Sequence, residues 1–378
     1  MRGFAAGAGR GGAAGLAAGF VAFCNATSSA RLAALYPESG GTYVYGRRRL
    51  GPFWGYLAGW AFVVGKTASC AAMALTFAAY AAPGHERLAG AAAVVVLTAL
   101  GCLGVQKSAL VTRAIVVVVL AVLAMVVVAC FAGGTAELAN LQPFPGGSAY
   151  GILQAGGLLF FAFAGYARIA TLGEEVRNPT HTIPRAIGIA LAITLVTYVL
   201  VDGAALLAVG ADTVGASAAP LHAAVAAGSL HGIAPIVRIG DAVASLGSLL
   251  ALLLGVSRTT LAMARDRFFP TALAAVDPRR SVPARAEIAV GLVVLLLVVS
   301  TDLRGAIGFS SFGVLCYYGI ANASAWTLRA DERRPPRWIP VAGVVGCAVL
   351  AVSLPWRAAS AGAGVVALGA LLYPQLKR

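Results

Sequence analysis

Continuous apolar runs constrain this chain most: about eleven of them approach the roughly 20 residues that a helix needs to cross a bilayer core. They cover residues 12–34, 53–80, 88–105, 110–132, 149–172, 186–209, 236–263, 285–301, 306–328, 338–354 and 359–374. Hydrocarbon offers no partner to a backbone N–H or C=O, so such a chain spans as helices or as a closed barrel. The runs are continuous rather than alternating, which argues against barrel strands. Composition agrees: 60% of the 378 residues are hydrophobic and 11% are charged, where a soluble chain carries about 25% charged residues. A disordered chain, a disulfide scaffold and an ordinary soluble enzyme are excluded. The expected fold class is an all-α polytopic membrane protein.

The formal net charge is +14. In a soluble protein this surplus would suggest nucleic acid; in a polytopic one it suggests cytoplasmic loops rich in Lys and Arg. With the first run ending inside, 21 of the 28 Lys and Arg, from Arg31 to Arg378, fall on one side. Arg2, Arg10, Arg87, Arg238, Arg304 and Arg357 fall on the other, and Lys66 lies within a span. The expectation is a multi-pass protein of the cytoplasmic membrane with a cytoplasmic C-terminus and the lipid bilayer as a partner. No separate basic domain forms, so no nucleic-acid partner is expected.

Cys24, Cys70, Cys102, Cys130, Cys316 and Cys347 all fall in apolar runs and read as small buried hydrophobes rather than as disulfides or ligands. His85, His181, His222 and His231 fall between the runs without ligand spacing. No metal site and no cofactor is expected. A full phosphate-binding GxxxxGK[ST] motif, a GxSxG and an HExxH are absent from the sequence, since Gly65-Lys66-Thr67 has Trp60 and not glycine five positions ahead of Gly65, so enzyme chemistry and ATP-driven work have no support.

The run 149–172 contains Gly156-Gly157-Leu158-Leu159-Phe160-Phe161-Ala162-Phe163-Ala164-Gly165-Tyr166. A glycine-interrupted helix inside a membrane is tolerated where it lines a cavity, and its exposed ends present dipoles to a substrate. A helix-packing face is the alternative, because small residues also let helices approach closely. The connection that follows holds Glu174-Glu175-Val176-Arg177-Asn178-Pro179 and Ile183-Pro184-Arg185. Pro184 is expected near the start of the next helix.

These residues resemble the sixth helix and following loop of amino acid permeases of the amino acid–polyamine–organocation superfamily. Tyr36-Pro37-Glu38-Ser39-Gly40-Gly41-Thr42-Tyr43 with Gly59-Trp60 is similar to the family's region from the second to the third helix. Ala262-Met263-Ala264-Arg265-Asp266 with Pro270 is similar to the end of helix eight, and Phe309-Ser310-Ser311 with Asn322 to helix ten. The resemblance runs from about residue 12 to the end. It implies one transporter domain over 1–378, with the rest of a first inverted repeat at 12–132, a second at 149–328 and two extra helices at 338–374. It aligns residues 12–34 with helix two. Helix one, the family's first broken helix, is therefore expected to be missing from the chain as written, by a misassigned start or a truncation.

The resemblance further implies a substrate held near mid-membrane by Phe163, Ala164, Gly165 and Tyr166. Relatives that carry cationic amino acids often have Glu near the position of Lys66, and Ala167 stands where some have Asp; both departures favour a neutral amino acid. An ionisable side chain at mid-bilayer is a functional hypothesis by default. Lys66, Asp202 and Asp241 are the coupling candidates, with protons as a further partner. For Asp241 the plain alternative is an ion pair with Arg238, three residues earlier on one helix; for Lys66 it is a structural pairing. The loop 210–235 is expected to cap the cavity or to lie in solvent. The expected function is secondary amino acid transport by alternating access, proton-coupled or by exchange. The alternative is a non-transporting assembly subunit, sensor or remnant.

Overall fold

A computed structural model describes residues 11–38, 40–104, 109–141, 148–165, 176, 178–280, 282–332 and 334–376, with backbone alone at residues 11, 12, 109–112 and 141. Thirteen α-helices are found among these residues: α1 Gly11–Leu35, α2 Thr42–Arg49, α3 Pro52–Ala81, α4 Glu86–Cys102, α5 Ala109–Ala132, α6 Ala149–Phe163, α7 Pro179–Ala216, α8 Pro220–Ala226, α9 Ala234–Arg265, α10 Ala284–Ser300, α11 Leu303–Trp326, α12 Trp338–Ser353 and α13 Trp356–Leu376. Each of the apolar runs has become a helix. The short helices α2 and α8 arise in expected connections. Seven helical stretches, those of α1, α3, α5, α7, α9, α11 and α13, are long and apolar enough to cross a membrane. The fold is that of an all-helical polytopic membrane protein.

Local chemistry sets several helix starts. Gly51 takes φ 107°, a left-handed turn that suits glycine, and Pro52 then opens α3. The Ser148 side chain accepts the Gly151 N–H at the start of α6, and Asp302 accepts the Gly305 N–H at the start of α11. At α7 the expectation needs correction. The helix begins at Pro179, behind Asn178 at φ 54°, so Pro184 lies inside the helix and not at its start. A proline there removes the N–H that would bond the carbonyl four residues back.

The 38-residue α7 is longer than a bilayer needs, and it breaks at Gly210 (φ 74°). Carbonyls freed by such a break need other donors. Asn140 supplies them: its Nδ2 donates to the Leu207 carbonyl at 2.6 Å, and the Glu137 N–H donates to the same oxygen at 3.0 Å.

The core centres on α3. Lys66, Thr67, Ser69, Cys70 and most of its apolar residues are buried, and its main partners are α9 and α11. Glycines permit that closeness. A Cβ on Gly313 would stand 2.9 Å from both the Ala61 carbonyl oxygen and the Gly65 Cα, so the α3 and α11 backbones touch there. Ser69 Oγ and Ser310 Oγ, 2.6 Å apart, hydrogen-bond across the seam. A second seam joins α1, α11 and α12, where Asn322 Nδ2 donates to Asn25 Oδ1 at 2.6 Å. The outer faces are apolar as well: Val117 is 66% exposed, Val199 62% and Leu292 61%. Exposed apolar faces of that kind suit hydrocarbon as solvent.

Candidate functional site

The α-helical part of α6 stops at Phe163, well short of the expected span to residue 172, and Ala164 and Gly165 continue as a 3-10 turn. The α-helix thus ends just ahead of the glycine at which the break is expected. Tyr166 lies outside the described residues, as do Ala167, Arg168, Glu174, Glu175 and Arg177. The last four carbonyls of any helix lack helical partners, and two of these carbonyls find donors on other helices. Lys66 Nζ on α3 donates to the Ala164 oxygen at 3.0 Å. The Tyr198 hydroxyl on α7 donates to the Ala162 oxygen at 2.9 Å. A cation at a helix C-terminus also meets the negative end of the helix dipole.

Aromatic contacts fix the same turn from its sides. Phe163 meets Tyr198 edge to face, with centroids 5.2 Å apart. Phe160, fully buried, meets Tyr318 on α11 in the same way at 5.9 Å. Phe163 and Ala164 are buried, whereas Gly165 is exposed and a Cβ added there would meet open space. Lys66, Phe163, Ala164 and Gly165, four of the sequence-derived site residues, thus come together at one point. Sequence reasoning missed Tyr198. A tyrosine in an apolar span was the available signal, but its partner lies 36 positions away.

The aspartates lie elsewhere. Asp202 is exposed, one helical turn beyond Tyr198 on α7. Asp241 is half-buried near the start of α9, beside the Tyr80 hydroxyl. Tyr80 follows Lys66 by fourteen positions, about 21 Å along α3 at 1.5 Å per residue. The expected Arg238–Asp241 ion pair is not formed. Arg238 turns instead to the end of α3, where Nε and Nη2 both donate to the Tyr80 carbonyl, at 3.0 and 2.8 Å. A helix C-terminus with orphan carbonyls outcompetes a single carboxylate for the forked donor.

The stretch 210–235 folds into α8 and a 3-10 turn at His231–Ile233. Ala224 and Val225 of α8 join a small apolar cluster with residues of α5, α7 and α9, among them Val126, Ala205 and Val237. The α8 part of the stretch therefore packs on the bundle, while residues 226, 227 and 229–232 are exposed. Burial and the Arg238 charge lower the pKa of His222 on α8. All six cysteines are free, and four of them are buried. No group of three metal-ligating side chains is found among the described residues. A cavity of about 420 Å³ lies between α1 and the start of α7, lined by Arg31, Thr180, His181 and Arg185; none of the residues at the break lines it.

At the other end of the bundle, ionic contacts tie the helices together. Tyr43 donates to Asp266 at the end of α9, and Arg47 pairs with the same carboxylate at 3.2 Å. Burial and this acidic neighbour push the Tyr43 phenol well above its ordinary pKa. Glu332 accepts from Arg49 and from the Arg329 N–H, while its own carbonyl accepts from Arg31 Nε at 2.6 Å.

A multi-pass helical protein with the end of one helix held at its core by a buried lysine is of the kind found among membrane transporters. Comparison with known proteins narrows the class. Residues 3–368 match the model of the amino acid permease family, and the chain belongs to that family. An uncharacterized transporter of Mycobacterium tuberculosis (strain ATCC 25618 / H37Rv) is 61% identical over 356 residues, which cover 94% of this chain and 81% of that protein. The vacuolar cationic amino acid transporter 2 of Arabidopsis thaliana is 28% identical over 356 residues, covering 85% of this chain and 54% of the relative. Cationic amino acid transporter 4 of Homo sapiens is 28% identical over 352 residues, covering 86% and 54%.

Proposed function

We propose that the protein is a secondary transporter that carries a neutral amino acid across the cytoplasmic membrane by alternating access. One observation carries this reading: a buried lysine on α3 holds the carbonyl at the end of the broken helix α6. The turn after Phe163 is then held in a fixed position, where its backbone can meet the polar end of a substrate. Phe163, Ala164, Gly165 and Tyr166 form the substrate-binding turn. Lys66 acts as its positioning residue rather than in the proton-coupling role that its depth first suggested.

The packing of α3 on α9 and of α4 on α10 supports the division into repeats at 12–132 and 149–328, with 338–374 appended. The bias of Lys and Arg supports a cytoplasmic C-terminus. Two relatives are named cationic amino acid transporters, which makes a cationic substrate the competing reading. The Lys66 ammonium at the break favours the neutral one, since a like charge in a low-dielectric site repels a cationic side chain.

The test is uptake by purified protein in liposomes with a panel of labelled neutral and cationic amino acids. Neutral substrates compete for uptake and cationic ones do not. Uptake of Lys or Arg in preference to neutral amino acids would overturn the specificity. Absence of uptake for every amino acid would overturn transport itself.

A further inference from the structure

Glu287 is the second ionisable side chain deep in the bundle, and the site just described leaves it unused. It lies in the first turn of α10 and is 1% exposed. Its Oε2 accepts from Ser257 Oγ on α9 at 2.7 Å. Its Oε1 is buried with no hydrogen-bond partner at all. A Cβ on Gly101 of α4 would lie 2.3 Å from that oxygen, so Oε1 is pressed against bare backbone. A glutamate in a first helical turn ordinarily gains from the N–H groups there, but the N–H of Glu287 is spent on the Pro283 carbonyl. An ionised carboxylate with one bare oxygen in such a place is costly.

We propose that Glu287 is a proton-binding site coupled to transport: its carboxyl carries an exchangeable proton on Oε1 in this closed arrangement. The coupling rests on the transporter reading above. The close contact with Gly101 leaves no volume for a metal ion and its oxygen shell, which stands about 2.4 Å from each ligand, whereas a proton fits.

The surroundings show how the charge could be moved and sensed. On α9, Arg258 follows Ser257 and acts on the carboxylate electrostatically. On α4, the Cys102 thiol donates to the Ala284 carbonyl at 3.9 Å. Arg280, ahead of α10, donates to the Cys102 carbonyl at 3.3 Å. On α3, Cys70 lies one turn after Lys66 and feels the charges of both Lys66 and Glu287. The same helix therefore faces the break and the carboxyl. When α10 parts from α4, water reaches Oε1. The O–H bond breaks, the proton passes to that water, and the remaining carboxylate is left to Arg258. In the opposite half-cycle an acid in the other compartment returns one proton, so one positive charge moves per turn.

Three measurements decide it, on wild-type protein and Glu287→Gln in liposomes. The amide keeps the shape and the donor of the neutral acid but cannot titrate. The first measurement is exchange of a labelled neutral amino acid at equal pH on both sides. Both proteins exchange at about equal rates, and loss of exchange in the wild type would overturn the transporter reading and the coupling with it. The second is accumulation under an imposed proton gradient. The wild type accumulates about tenfold per unit of ΔpH, because one proton per substrate converts a pH unit into a factor of ten. Glu287→Gln does not accumulate; accumulation by the variant equal to that of the wild type would overturn the coupling. The third is the infrared C=O stretch of a protonated carboxyl, present at neutral pH in the wild type and missing from the variant. Its absence from the wild type would overturn the proton site even if transport proceeds.

Discussion

Lys66 and Glu287 are both ionisable, both buried and both close to α3, yet their surroundings differ in kind. Lys66 is 5% exposed and finds a carbonyl that the end of α6 had left without a helical partner. Glu287 is 1% exposed and keeps one oxygen bare against a glycine. The first is a donor matched to an orphan acceptor, which fixes two helices relative to each other. The second is an acceptor with nothing to accept, which a proton relieves. Burial alone therefore does not tell a structural charge from a working one; the satisfaction of each polar atom does.

The comparison breaks most readily at Gly101. Gly101→Val places a side chain where Oε1 now lies, and overpacking of that kind costs about 3 kcal/mol. Thermal unfolding in detergent falls accordingly. Glu287→Ala in the same chain returns most of the loss, a coupling that a double-mutant cycle measures. If Gly101→Val is neutral on its own, the carboxyl has room and the contrast with Lys66 fails.

Lys66→Met comes next. It leaves the Ala164 carbonyl buried without its donor, at a cost of about 2 kcal/mol, and uptake falls because the turn of α6 loses its anchor. Its remaining uptake keeps the wild-type pH dependence, read from initial rates across the pH range, because Lys66 positions and does not titrate in the cycle. A flattened pH profile in Lys66→Met would move the coupling role from Glu287 back to Lys66.

Tyr198→Phe removes one hydroxyl and retains the ring against Phe163. A loss of about 1 kcal/mol is expected from the single hydrogen bond to Ala162, with a smaller fall in uptake than for Lys66→Met. The smallest effect belongs to the clasp at Glu332. Hydrogen bonds from Arg49 and from the Arg329 N–H hold this carboxyl below its ordinary value of 4.5. Its contribution is complete above the ordinary value and is lost as pH falls through the lower folded one. The group is only partly buried, so salt screens it in part. Glu332→Gln therefore lowers stability slightly at neutral pH, where the contribution is complete, and its profile converges on that of the wild type as pH falls below 4.5.

Much of the fold was legible in the apolar runs, because a membrane span must be apolar along its whole length and hydrocarbon tolerates few exceptions. The end of α6 ahead of Gly165 was legible in part, since a glycine there suits either a break or a packing face. The partners were not legible. Arg238 and Asp241 sit at a spacing that suits an ion pair, yet Arg238 grips the Tyr80 carbonyl 158 positions away. Pro184 suggested a helix start, but Asn178 and Pro179 had already begun the helix. Glu287 stands near the start of the run 285–301, two positions after Arg285, and sequence reasoning did not single it out. Its burial comes from α4 and α9, and no local pattern encodes their approach.

The sequence by itself determined that this chain crosses a membrane as helices and that the chain resembles amino acid permeases. Those properties depend on each segment's own match to its solvent. Only the tertiary structure decided that Lys66 meets Ala164, that Tyr198 meets Ala162, and that Glu287 lies bare against Gly101. Those are contacts between segments far apart in the chain, chosen by which orphan donors and acceptors the packed helices bring within reach.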